Sequence, residues 1–360
     1  MSYIIDGIRT PIAKVNGHFK YIIPEILAAN CIKEIIQRNA LSENQIHDII
    51  LANAFGTGGN IVRNASLRAF ENNNIACTTI DAQCSGGLRA IEIASELVKN
   101  NDYALAGGLE SCSLAPQKYY ANFDPRHSDY AYTKAEFSPE GGESNDLFKA
   151  AENTAHKYEI SKAAMQDWMY ISQQRAKAAK NRYSKYIINV ENQSQDQLLK
   201  PNLTLADWEK LATENLIDRT TASRAADAAA VLLLSNHPKN AIAQIVYSLT
   251  IGFEPDFSPE GPIIITDAFI EKYGIRLQDI DVFEIGDSFA VNALAFAKYY
   301  QIPLEKINLS GGTLVYGHPY GATGAICMIN LISNLTLGQK GLVVVPGAGG
   351  QTTAILIQKC

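Results

Sequence analysis

Apolar residues recur along the chain with two periods, and the two alternate. Between Pro24 and Asn39 the spacing puts Ile26 or Leu27, Ala28, Cys31, Ile32, Ile35 and Ile36 on one face, which predicts an amphipathic helix. Short β-rich runs flank it, IIDGIRTP before and IHDIILANAF after. Next, ACTTIDAQ, CSGGLRAIEIASELVKNN and YALAGGLESCS read as strand, helix and strand with short joins, a candidate right-handed βαβ crossover. Such alternation predicts an α/β fold.

The last hundred residues repeat the scheme. DIDVFEIGD predicts a strand, SFAVNALAFAKYY a helix, INLSGGTLVYG another strand, GATGAICMINLISNL a helix and GLVVVPGAGGQTTAILIQ a closing hairpin. In both halves a Gly-rich turn feeds an apolar helix, and a small-residue strand then ends in a glycine pair, Gly107-Gly108 and Gly349-Gly350. The parallel predicts an internal duplication. Residues 114–217 are polar, aromatic and helix-forming and predict an inserted helical subdomain, which leaves 1–113 and 218–240 to the N-terminal half and 241–360 to the C-terminal half. The pentamer FSPEG occurs at 137–141 and 257–261, where ordinary turn chemistry accounts for it.

Composition narrows the choice of function. With 360 residues, 47% hydrophobic and 19% charged, the chain has the balance of a folded globular protein and is too long for a peptide-sized binding module. A net charge of -6 without any Lys/Arg cluster excludes the basic footprint that nucleic acid or an anionic membrane requires. Asp6 and Arg9 interrupt the region where a secretory signal needs apolar residues, and no run approaches the roughly 20 apolar residues of a membrane helix, so a cytoplasmic protein is expected. The six cysteines (Cys31, Cys77, Cys84, Cys112, Cys327 and Cys360) form no C-x-x-C pair, so neither a disulfide frame nor a metal site is expected.

Two residues stand in settings that favour chemistry. Cys84 heads the apolar helix, where free backbone N–H groups and the positive end of the helix dipole favour thiolate and could hold an oxyanion, while Ser85, Gly86 and Gly87 leave room for a thioester. A small core cysteine is the competing reading of the same residue. His318 lies in LVYGHPYGATGA, where glycine and proline on both sides hold an imidazole just before a helix, as base or hydrogen-bond donor. A loop histidine at the surface is the alternative there. Phosphate-loop, H-E-x-x-H and G-x-S-x-G patterns do not occur.

Taken in order, IIDGIRTPIAK, DAQCSGGLRAIEIA, LAGGLESCS, NLSGGTLVYGHPYGATGA and GLVVVPGAGGQ resemble the thiolase superfamily over nearly the whole chain. The resemblance implies a duplicated five-layer αβαβα fold with a helical loop domain, and a homodimer or homotetramer. It implies Cys84 as the acyl-accepting nucleophile and His318 as its activating partner. It further implies an oxyanion site built from the backbone N–H groups of Cys84 and Ala348, with Ser223 (in TAS) and Gly349 near the substrate. The acyl donor would be a coenzyme A or carrier-bound phosphopantetheine thioester, as substrate, with no cofactor.

Departures from the pattern bear on the reaction. Where such enzymes have a second cysteine that carries the α-proton of the attacking acetyl group, this chain has Pro346. Where they read N-E-A-F, or H-D-C-F in the sterol-carrier branch, it reads Gly286-Asp287-Ser288-Phe289, so the Asn or His that holds a water or enolate oxygen is missing. Asp287 and Ser288 are candidates to assist. The His-Met-Gly element is replaced by Asp146-Leu147-Phe148 ahead of Ala151-Glu152-Asn153. The expectation is therefore an acyltransferase that loads Cys84 and passes the acyl group to a carbon, nitrogen or oxygen nucleophile, or to a carbanion made by decarboxylation, where loss of CO2 replaces the missing base in a carbon-carbon bond-forming step. A non-catalytic partner subunit of an acyl-processing complex is the alternative, and carbon-carbon cleavage using Tyr316 or Tyr320 a third reading.

Overall fold

In the computed structural model all residues are described except 72–73, 99–102, 133–135, 137, 140–145 and 200–203. The first strand is β1 (Ser2–Arg9), followed by the two-residue β2 (Ala13–Lys14) and the expected amphipathic helix α1 (Pro24–Arg38). Pro24 opens α1 with its φ already helical and no N–H to leave unpaired, and Leu27, Ala28, Cys31, Ile32, Ile35 and Ile36 form the buried face. β3 (Ile46–Ala52), α2 (Ile61–Ala69), β4 (Ala76–Ile80), α3 (Gly86–Leu97) and β5 (Tyr103–Ser111) follow. Helices α4 (Leu147–Lys157), α5 (Lys162–Tyr183) and α6 (Leu205–Glu209) lie between β5 and β6 (Ala226–Ser235).

The rest of the chain supplies β7 (Ala243–Gly252), α7 (Gly261–Tyr273), β8 (Val282–Ile285), α8 (Ala290–Tyr300), α9 (Gly312–Tyr316), α10 (Tyr320–Asn334), β9 (Lys340–Gly347) and β10 (Gln351–Lys359). One half-sheet runs β4-β3-β5-β6-β1 and the other β8-β9-β10-β7. In each, two parallel strands (β3 and β5, or β8 and β9) are followed by an antiparallel pair, so the halves share one scheme. A short antiparallel pairing of Ser2–Ile4 with Ala243–Ile245 joins them. Helices α1 and α2 cover the outside of the first half-sheet, α3 and α10 lie between the two, and α7 covers the second with α8 against it. This is the duplicated five-layer architecture.

One expected strand is absent. Of INLSGGTLVYG only Ile307 bridges Phe283, as the vestige of a counterpart to β4. Asn308 bonds through its side chain to both the N–H and the carbonyl of Ile285 (2.7 and 2.9 Å), and Gly311 and Gly312 then turn through positive φ into α9. The glycines reverse the chain before a second strand pair can form. The second FSPEG lies in a 3-10 turn running into α7, while Phe137, Glu140 and Gly141 of the first lie outside the described residues.

The central helices cross where neither has a side chain. A Cβ on Gly324 would lie 2.3 Å from the backbone nitrogen of Leu88, and one on Gly87 would lie 2.8 Å from the carbonyl oxygen of Gly321. Backbone therefore touches backbone, which brings the starts of α3 and α10 together. A second tie reaches the same region from the helical excursion. Arg9, fully buried, makes a two-pronged bond to Asp196 (2.7 and 2.8 Å) between the rings of Tyr183 and Tyr316. Tyr316 ends α9, two residues before His318, so the excursion is anchored next to the loop that carries the imidazole.

Candidate active site

Cys84 stands in a single 3-10 turn, 83–85, between β4 and α3. Gln83 before it has φ 51°, an unfavourable region for a side-chain-bearing residue, and is held there by Asp81, which accepts from the Gln83 backbone N–H at 2.8 Å. The bend pushes the sulfur toward the other half of the molecule. His318 arrives from that half, its own N–H donated to the Arg224 carbonyl at 2.7 Å and its ring leaning on Tyr320. Sγ and Nε2 meet at 3.0 Å, both residues buried.

The surroundings define the protonation. Nδ1 of His318 lies 2.8 Å from Thr323 Oγ1, so a proton on Nδ1 leaves Nε2 free to accept from the thiol. Burial pushes the Cys84 thiol up to about 12, against the lowering effect of hydrogen bonds from the backbone amides of Ala348 and of Cys84 itself. Burial also pushes His318 down to about 4. At neutral pH the resting pair is therefore thiol and imidazole, and the two amides are already aimed at the sulfur end of any bound acyl group.

Leu147, Ser258, Pro259, Ser288, Phe289, Asn292, Pro346, Gly347 and Ala348 wall the sulfur, leaving about 20 Å³ free. That is room for about one water molecule. Larger cavities, about 270 Å³ beside Gln83 and Tyr132 and about 140 Å³ beside Tyr183, do not include Cys84. The sulfur–imidazole contact, not cavity size, marks this site. Among the described residues no cluster of His, Cys, Asp or Glu has the makings of a metal site, and no helix is long and apolar enough to cross a membrane.

The expected assisting residues separate. Ser288 lines the pocket with its Oγ 3.3 Å from His318 Nε2. Asp287 turns the other way into the interior, where its carboxylate accepts from Trp168 Nε1 (3.2 Å) and the Leu314 N–H (3.1 Å), so it buttresses the segment instead of facing the sulfur. Gly286 has no room for a side chain on this backbone, since a Cβ would lie 2.9 Å from Val345 Cγ1. Ser223 donates its backbone N–H to the Ser288 carbonyl at 2.8 Å, and Gly349 follows Ala348 in the β9–β10 turn with φ 81°. Tyr316 is packed on Tyr183 with its hydroxyl on the Ser310 carbonyl, and Tyr320 is packed on His318 and Phe55, so both tyrosines serve as packing.

The halves of the chain match the family models for the thiolase N-terminal domain over residues 2–237 and the thiolase C-terminal domain over 239–359. This chain belongs to the thiolase family. The YhfS protein of Bacillus subtilis is 31% identical over 374 residues, covering 99% of this chain and 98% of that one. The peroxisomal 3-ketoacyl-CoA thiolase A of Mus musculus is 29% identical over 362 residues, covering 92% and 84%. The crystal structure of the Bacillus anthracis acetyl-CoA acetyltransferase has the same fold, with a TM-score of 0.89 at 24% identity and coverage of 100% and 98%. So does the Acat5 thiolase from Ascaris suum in complex with coenzyme A, with a TM-score of 0.89 at 24% identity.

Within this family frame two positioning residues escaped the sequence reading. Thr323 was visible only as part of a helix start. Glu110 sits buried at the end of β5 and accepts from the N–H groups of Ala54, Phe55 and Gly321 and from the Asn53 amide. Burial pushes it up to about 7 against those bonds. It ties β3's exit to the turn that carries His318, and an acid inside the otherwise small and apolar LAGGLES was the one signal of that duty.

Proposed function

We infer that this protein is an acyltransferase that forms an acyl-thioester on Cys84 and passes the acyl group to an acceptor. The observation that carries it is the convergence on one sulfur of His318 Nε2, at 3.0 Å, and of the Ala348 and Cys84 amides. The names of relatives support the class: the rat protein named acetyl-CoA acetyltransferase, cytosolic, is 27% identical over 99% of this chain. The donor is a thioester of coenzyme A or of a carrier-bound pantetheine, entering past Ser223 and Gly349.

In the first step the Cys84 thiol gives its proton to Nε2 as sulfur attacks the thioester carbonyl. Charge moves onto the carbonyl oxygen, which the amides of Cys84 and Ala348 receive. Collapse expels the donor thiolate, which takes the proton back from Nε2. Thr323 Oγ1 stabilises the transient imidazolium through Nδ1. The neutral resting pair suits this sequence, because charge then develops only in the transition state, where preorganised donors act most strongly.

The second half-reaction differs from a non-decarboxylating condensation. Pro346 faces the pocket where a proton-carrying thiol would stand, and Val345 fills the space an Asn at 286 would need. The acceptor is therefore one that does not require removal of a carbon-bound proton, which includes a carbanion released by decarboxylation. The same two positions favour the second reading, a partner subunit without turnover. Intact-protein mass spectrometry after incubation with acyl-CoA and acyl-pantetheine donors, with Cys84→Ala in parallel, separates them. One acyl mass gained by the wild type and lost in the variant is expected. No adduct from any donor would sink the enzyme reading.

A further inference from the structure

Acylation of Cys84 removes the thiol proton, and with it the hydrogen bond to His318 Nε2. Nδ1 stays with Thr323, so Nε2 needs another donor. Ser288 Oγ lies 3.3 Å away, and this is its hydrogen bond among the described residues. Its main chain is clamped: the Ser288 N–H reaches the Gly286 carbonyl (3.1 Å), the Ser288 carbonyl accepts from Ser223, and Ala222 bridges Phe289. The hydroxyl is thus a rotor on a rigid mount. Other polar side chains of the pocket are committed, Ser258 to the Pro255 carbonyl and the Gly350 N–H, and Asn292 to the Phe289 N–H and the Pro259 carbonyl. Pro346 has no proton to give or take.

We propose that Ser288 relays the acceptor's proton to His318 in the second half-reaction, and that the acceptor is a hydroxyl or amine. This rests on the acyl-enzyme reading above. The acceptor heteroatom attacks the acyl carbon while its proton passes to Ser288 Oγ and the Ser288 proton passes to Nε2. The carbonyl oxygen, now negative, is held by the amides of Cys84 and Ala348. The carbon–sulfur bond then breaks, its electron pair returns to Sγ, and Sγ takes the proton from Nε2. The acyl group has moved from sulfur to the acceptor and one proton has moved back. A relay of this kind conveys a proton without adding basicity, so a C–H bond beside a thioester stays out of reach.

The test uses the full chain loaded on Cys84 by whichever donor labels it, freed of excess donor. Loss of the adduct is then followed by intact mass with ethanolamine or buffer alone. Ser288→Ala is expected to slow release by at least about tenfold, within the range of general acid–base effects, and loading by less than about threefold. Ser288→Thr keeps a hydroxyl and recovers most of the rate. In mixtures of light and heavy water the wild-type release rate bends with isotope fraction, as for two protons in motion, and the Ala variant gives a straight line. Release at the wild-type rate in Ser288→Ala, or equal slowing of loading and release, overturns the relay. A condensation product from a second acetyl-CoA overturns the acceptor class. Failure of the wild type to load at all overturns the acyl-enzyme reading and the relay with it.

Discussion

Replacing Gly324 by alanine tests how closely the fold and the site depend on one another. The new Cβ would sit 2.3 Å from the Leu88 nitrogen and 2.9 Å from the Gly87 carbonyl carbon, whereas ordinary contact begins near 3.4 Å. Both obstacles are backbone, so no rotamer change relieves them and α3 and α10 must part by about 1 Å. Helix propensity works in the opposite direction, because alanine within a helix is favoured over glycine by about 1 kcal/mol. Overpacking costs roughly 1–3 kcal/mol, and a clash between two backbones belongs at the upper end, leaving a net loss of about 1–2 kcal/mol. Cys84 and His318 ride on the starts of these same helices, so the 3.0 Å sulfur–nitrogen contact lengthens with the crossing. A misplacement of about 1 Å is enough to cost ~100-fold in rate. Urea unfolding measures the first effect and single-turnover loading of Cys84, followed by mass, the second. Wild-type stability together with wild-type loading in Gly324→Ala would refute the idea that this crossing sets the site.

Thr323→Val removes the partner of Nδ1 and is expected to lower loading by about 10- to 100-fold with little change in stability; an unchanged rate in a single-turnover assay contradicts the tautomer argument. Pro346→Cys is expected to confer exchange of the acetyl-CoA methyl protons with heavy water, read by mass, where the wild type gives none; exchange by the wild type would show that another group already carries that proton. Burial holds Cys84 toward 12 and His318 toward 4, so the thiolate ultraviolet band, as wild type minus Cys84→Ala, should show no step between about pH 5 and 9. The linked stability has opposite signs at the two ends. His318 is depressed from 6.5, so its contribution is lost as pH falls below that value, while Cys84 is raised from 9.0, so its contribution is lost as pH rises beyond it. Cys84→Ala should therefore flatten the decline in unfolding free energy above pH 9 and leave the acid side unchanged.

Local patterns were enough to foresee much of this molecule. The 3.6-residue period of α1, the glycine turns before α3 and α10, and the hairpin β9–β10 depend on near neighbours, and the two halves reinforce each other. Cys84 and His318 were visible because each stands at a helix start. What the sequence concealed depends on contacts between distant segments. The strand expected in INLSGGTLVYG failed because Asn308 and the Gly311-Gly312 turn take over the edge of β8, and nothing in its apolar alternation reveals that. Asp287 and Ser288 are adjacent in sequence, yet one faces Trp168 and the other the imidazole, a choice made by the surrounding packing. Glu110 and Thr323 needed the meeting of both halves before their partners existed.

The position of β6 between β5 and β1 also governs how the polypeptide is born. β1 pairs along most of its length with β6, and more than two hundred residues separate Arg9 from Ala226. At cellular synthesis speeds of about 5–20 residues per second, the first strand waits roughly 10–40 s for its main partner to leave the ribosome. Through that interval SYIIDGIR is an unpaired, mostly apolar ribbon, and its Arg9 lacks Asp196 until nearly as late. Nascent chains stalled before residue 226 should therefore hold β1 open to a chaperone or a protease, and release beyond 235 should close it.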